Sequence, residues 1–351
     1  MMLEVSASIV FLALCFGSLA IWLKLLRNFR QGKQTLPTRL RAPSPIGLID
    51  VLLMFFGWII AQTLGIGLAK AIFGNELEPP ISLSSDNGAY LVLFAGISQL
   101  LVTIGCLGLY SLRYKAPSVF GLDHQSLFKN IGIGLVGFLV IIPPVLILQM
   151  VLSFLVPYEH DTLESLKKAT SALPIVSAWL VAVLVAPIVE EVFFRGLLQG
   201  WLQRLGNTRP EDFGKMIAGG RCSTSQTIEH ETHQAELSEL TPDSNIDEDN
   251  NPYCPPETST KIKQAELADA DGLVYFDSKL RWSPIFVSAG LFAAAHIGQG
   301  AAPIPLFFLS VGLGYLYRQT GSIIPGIVVH FLLNFHSMFW ATMAVVFNVG
   351  Q

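Results

Sequence analysis

The apolar residues of this chain fall in long unbroken blocks, and that pattern constrains the fold more than any other feature of the sequence. The blocks run at about 5–25, 46–73, 89–112, 130–156, 174–203, 283–299, 303–317 and 321–349. Crossing the hydrocarbon of a bilayer as a helix takes roughly 20 mostly apolar residues, so most blocks have the length of one span. Hydrophobic residues make up 52% of the chain and charged ones only 14%, against about 25% charged in a soluble globular protein. The expected fold is therefore all-α: a polytopic transmembrane helical bundle of about eight spans. A soluble enzyme carrying a single anchor is excluded. No basic stripe of the kind that binds nucleic acid is present.

Charge order orients the blocks. The first has Glu4 before it and Lys24, Arg27, Arg30, Lys33, Arg39 and Arg41 in and after its end. A signal peptide has the reverse order, so the block reads as a retained helix with its N-terminus outside. The positive-inside rule then places the first loop in the cytoplasm. The acidic loop at Glu76, Glu78 and Asp86 falls outside, and Arg113, Lys115 and Lys129 bring the chain back in. Continued alternation puts the polar stretch 204–281 in the cytoplasm of a multi-pass cell-membrane protein. Of the 26 acidic residues, 15 lie between Arg204 and Arg281, and large apolar residues are scarce there. Such a segment buries too little surface to offset its chain entropy and is expected to be mostly disordered. The chain thus divides into N-terminal helices (1–173), a core (174–203 and 283–349) and an acidic insert (204–282). Within the insert, His230-Glu231-Thr232-His233 looks like a zinc-protease motif, but its histidines are three apart rather than the four that share a helix face. Those histidines with Cys222 and Cys254 match no zinc spacing.

Ionisable residues inside a membrane helix are costly and mark function by default. Glu190 and Glu191 sit in the fifth block. Adjacent helical residues point about 100° apart, so the two carboxylates have different tasks. Glu191 and Arg195 are four apart and can pair along one face, as a structural clamp or as part of a site. Glu190 points elsewhere and is available for general acid or base work. Pro187 loosens the backbone just before the pair. His296 ends the sixth block after three alanines, and His330 and Asn334 share a face of the eighth. Asn334 either donates to developing oxyanion charge or joins two helices; His336 points away. At about 1.5 Å per residue, Glu190 and His296 lie roughly 20 Å, and His330 roughly 13 Å, from the same side. One shared site accounts for all these polar groups.

The series Glu190-Glu191-x-x-x-Arg195, Phe292-x-x-x-His296 and His330-x-x-x-Asn334 resembles that of the CPBP family. These are the CAAX prenyl endopeptidases and the Abi-like bacteriocin-processing or bacteriocin-immunity membrane proteins. The resemblance covers about 174–349. It implies an intramembrane endopeptidase acting on a membrane-associated protein or peptide, prenylated or not. It further implies that Glu190 activates water with His296, that His330 and Asn334 hold the oxyanion, and that Glu191 and Arg195 support them. The long insert departs from the family's usual compactness.

Glu190, His296 and His330 also make a three-ligand set for a divalent metal such as zinc, with water in the fourth position. A metal-free Glu/His base facing a His/Asn oxyanion hole uses the same residues. Two other classes compete. One is a non-catalytic immunity or scaffold protein of the same fold. The other is a proton-coupled transporter, which would favour inverted repeats with interrupted helices in both halves, whereas the buried charges here cluster in the second half. The expected partners are the bilayer and a protein or peptide substrate.

Overall fold

The computed structural model describes residues 2–33, 36, 44–73, 84–114, 122, 126–155, 168–169, 171–205, 212–220 and 282–348. Their regular structure is helical: α1 (Met2–Arg30), α2 (Leu48–Phe73), α3 (Asp86–Tyr114), α4 (Leu127–Ser153), α5 (Ala172–Leu205), α6 (Phe213–Ala218), α7 (Ser283–Ala294), α8 (Pro303–Thr320) and α9 (Ile324–Asn348). Six of these, α1 to α5 and α9, are long and apolar enough to cross a membrane. Their outer faces expose Leu52, Phe56, Leu64, Leu101, Leu112 and many similar side chains. An apolar surface of that extent suits hydrocarbon and not water. The chain is a multi-pass helical membrane protein.

The expected count of about eight spans is approximate for a physical reason. The block at 283–299 is not one helix: α7 ends at Ala294 and turns through Gly298 and Gly300, both at positive φ. Its 12 residues reach about 18 Å, short of the ~30 Å hydrocarbon thickness. His296 therefore lies in the turn between α7 and α8 and not inside a span.

α5 is the central helix. It packs against α2, α3, α7, α8 and α9, and its Phe193, Phe194 and Leu197 form a buried cluster with Met54, Tyr110, Phe292 and Tyr317. A second cluster joins α4 to α8 and α9 through Ile142, Leu309, Leu313 and Leu333. α5 is not a uniform α-helix: Leu180–Val185 and Val192–Gln199 are π-helical, separated by the α-helical turn Ala186–Glu191. Wider π turns of this kind recur at functional sites.

Two prolines leave carbonyls that neighbouring helices satisfy. In α4, Pro144 has no N–H for the Val140 carbonyl, and Trp22 Nε1 of α1 donates to that oxygen at 3.2 Å. In the π turn of α5 the Ala186 N–H reaches back to Val181 O. The next carbonyl, Ala182, would then fall to residue 187, which is proline. Its donor comes from α9 instead.

The start of the acidic insert is folded. α6 follows Asp212, with Met216 buried, and Trp201 Nε1 donates to Met216 O at 3.2 Å. Arg204 donates to the carbonyls of Ile46 at 3.2 Å and Gly220 at 2.6 Å. Buried Asp50 accepts from the Gly47 N–H and from Arg113, each at 2.9 Å, and Arg113 also reaches Ala218 O at 2.7 Å. Gly219 sits at φ 84°, where a side chain would run into Tyr114 Oη. The remainder of the insert, with His230, His233, Cys222 and Cys254, lies outside the described residues.

Candidate functional site

The site forms where α5 faces α9 and the end of α7. Of the two adjacent carboxylates, Glu191 is fully buried and Glu190 keeps 23% of its side chain exposed. Glu191 Oε2 lies 3.4 Å from Arg195 Nε along the helix, and both side chains are 0% exposed. The expected division of the pair by helical angle holds.

His330 of α9 enters between the two carboxylates. Its Nε2 lies 3.8 Å from Glu190 Oε2 and its Nδ1 lies 3.5 Å from Glu191 Oε1. α9 comes this close because residue 326 is glycine: a Cβ there would overlap Glu191 Oε2. Arg195 is fixed on its far side by Ser310 of α8, to whose Oγ it donates at 3.1 Å. Its guanidinium also lies 5.0 Å from the centroid of the Phe292 ring, a cation–π distance. Phe292 is 0% exposed and its centroid is 6.0 Å from that of His330 and 4.9 Å from that of His296.

His296 is partly buried, and its Nδ1 is 2.8 Å from the Phe292 carbonyl. A carbonyl only accepts, so Nδ1 carries the proton, and in the neutral ring Nε2 is the acceptor. Asn334 Nδ2 donates at 2.7 Å to Ala182 O, the carbonyl released by Pro187. An amide nitrogen has two hydrogens, so one remains for another acceptor. His336 accepts at Nε2 from Trp340 Nε1 at 3.0 Å and belongs to the packing of α9.

Glu190, Glu191, Arg195 and His330 are therefore one contiguous cluster. His296 joins it through the Phe292 ring, and Asn334 joins it through the α5 backbone. Two contributors were not legible in the sequence: Ser310 and Gly326 carry no motif of their own. Phe292 stands in the motif Phe292-x-x-x-His296, and the structure adds its contacts with Arg195 and both histidines.

The three-ligand metal set finds no support in this arrangement. Among the described residues no group of three or more His, Cys, Asp or Glu side chains is placed to hold one ion. Glu190 Oε2 and His330 Nε2 are 3.8 Å apart, and both His296 and His330 lie against the Phe292 ring, with centroids 4.9 Å and 6.0 Å from it.

The model of the family described as "Type II CAAX prenyl endopeptidase Rce1-like" matches residues 172–219 and 272–336. Those segments contain α5, α6, α7, α8 and the part of α9 that carries His330 and Asn334. No curated protein and no solved structure matches the chain. The matched segments, about a third of the chain, are the ones that build the cluster, and over them the chain is similar to the type II CAAX prenyl endopeptidases.

Proposed function

We propose that the protein hydrolyses a peptide bond of a membrane-associated protein or peptide by a glutamate-type mechanism centred on Glu190. The observation that carries this reading is the placement of His330 between a partly exposed carboxylate and a fully buried one. Glu190 is the carboxylate that a water molecule can reach. It takes a proton from that water, and the oxygen attacks the scissile carbonyl. His296 Nε2, an acceptor by its hydrogen bond to Phe292 O, assists in orienting the water.

The carbonyl oxygen becomes an oxyanion as the tetrahedral intermediate forms. His330 and the second N–H of Asn334 face it as donors, a contribution of about 10²–10³ in rate per donor in comparable sites. Collapse of the intermediate sends the proton from Glu190 to the departing amine. Glu191, held by Arg195, fixes the ring angle of His330 through Nδ1. No step is assigned to a metal, because the donor set is not assembled around one point.

The substrate is expected at the membrane surface or within it, and a C-terminal peptide beside a lipidated cysteine is the form the family's description points to. The N-terminus lies outside and the 204–281 segment in the cytoplasm of the cell membrane, by the distribution of Lys and Arg. A tag at residue 240 that is cleaved by protease added to intact cells would reverse that orientation.

The decisive experiment is cleavage of a membrane-peptide library by the purified protein, beside its Glu190→Ala and His296→Ala variants. Cleavage lost in both, with folding retained, supports the assignment. Cleavage retained in Glu190→Ala sinks it.

A further inference from the structure

Resting on the hydrolase reading above, we infer that a buried polar seam between α5 and α8 conducts water from the Arg204 end of α5 to the catalytic carboxylates. The seam begins at Glu191 and continues through Arg195, Gln199 and Gln203, four residues apart each time. The first three are 0% exposed and Gln203 is 5% exposed. An α-helix turns about 100° per residue, so residues spaced by four drift about 40° at each step. The π winding of Val192–Gln199 has more residues per turn and counters that drift. Glu191, Arg195 and Gln199 consequently stay in line along one side of the helix.

α8 supplies the opposite wall. Arg195 donates to Ser310 Oγ at 3.1 Å, and Gln199 Nε2 donates to Gly314 O, one turn further along, at 2.8 Å. Gly314 lets the Gln199 amide lie against this wall, since a Cβ there would stand 2.8 Å from Gln199 Oε1. Inside a lipid-embedded bundle such polar side chains are costly, and peptide hydrolysis gives Gln199 no chemical task.

The seam also has unmet hydrogen-bonding capacity. Arg195 Nη1 and Gln199 Oε1 are buried with no hydrogen-bond partner among the described residues, and the buried Glu191 oxygens meet only the long contacts to Arg195 Nε at 3.4 Å and His330 Nδ1 at 3.5 Å. Donors and acceptors alternate from the site outward. Buried water typically makes about three bonds to such groups, and an apolar seam would offer it none.

Each turnover consumes one water, whose oxygen enters the new carboxylate while its protons go to the amine. On the hydrolase reading the peptide lies against the exposed part of Glu190 and covers it when bound. A route reaching the carboxylates from behind, through the α5–α8 seam, stays available while the substrate is bound.

The test uses the full chain with Cys15, Cys106, Cys222 and Cys254 replaced by serine. Gln199→Cys and, as an apolar control 0% exposed on the same helix pair, Leu309→Cys are reacted with a small cationic methanethiosulfonate. Thiolate formation needs water, so the cysteine at 199 is expected to react at least about tenfold faster. Equal rates overturn the seam. Separately, Gln199→Leu is expected to lower kcat about tenfold with KM unchanged, and Gln199→Asn to recover most of it. Gly314→Ala, which narrows the seam without removing a polar group, is expected to act in the same direction. Fast labelling together with wild-type kcat in both Gln199→Leu and Gly314→Ala overturns water delivery. Fast labelling in a protein that cleaves nothing leaves the hydrated seam standing and sinks the hydrolase reading instead.

Discussion

Asn334 donates from its side-chain amide to the carbonyl of Ala182, 2.7 Å away on another helix, and that carbonyl is free because Pro187 has no N–H to give it. One proline on α5 thus determines where α9 docks and how Asn334 is aimed. The same side chain has a second N–H for substrate, so packing and chemistry meet in one residue.

That coupling is measurable. Asn334→Ala should lower stability and also kcat, the latter by about 10²–10³ if the amide holds the oxyanion. In Pro187→Ala the restored N–H can serve the Ala182 carbonyl. The stability cost of Asn334→Ala should then shrink, giving an interaction of about 0.5–3 kcal/mol in a double-mutant cycle followed by thermal unfolding in detergent. Additive effects would mean that the proline and the asparagine act independently.

Glu190→Gln should leave the thermal midpoint near that of the wild type, because the side chain is partly exposed and its contact with His330 Nε2 is long, at 3.8 Å. Its cleavage rate should fall by about 10²–10⁴, the range for losing a general base. A steady-state assay on a cleaved membrane peptide checks both the size and the locus of the effect. Full activity would remove Glu190 from the mechanism.

Glu191 behaves differently. Removing its charge leaves Arg195 buried without its carboxylate, so Glu191→Gln should destabilise by about 3–5 kcal/mol. Replacing both partners, as Glu191→Leu with Arg195→Met, should recover much of that stability and none of the activity. Unfolding curves of the single and double variants separate the structural role from the positioning of His330.

Gly326→Ala adds one methyl at a point where Glu191 already lies. α9 must then move away from α5, which separates His330 from the carboxylates. Activity should drop by at least about tenfold, although residue 326 touches no substrate. A wild-type rate in this variant would show that the approach of α9 is not critical.

Chelation by EDTA or o-phenanthroline should leave cleavage intact, since the described donors are not gathered around one ion. Loss of cleavage that zinc restores would return Glu190, His296 and His330 to the role of ligands.

The sequence by itself determined the membrane-helical class, because apolar block length answers directly to hydrocarbon thickness. It also separated Glu190 from Glu191, since helical geometry makes neighbouring side chains diverge, and it paired Glu191 with Arg195. Tertiary structure decided the rest. Which histidine meets the carboxylates depends on Gly326 letting α9 approach, and His330 is the one that arrives. His296 left its expected span because two glycines at positive φ turn the chain after Ala294. The first part of the acidic insert folds because Arg204 and the partners of Asp50 tie it down. The line from Glu191 to Gln199 exists because α5 unwinds into π turns. Local pattern reports what a residue can bury or pair with along its own helix. Only the packing of one helix on another sets which groups from distant blocks share a site.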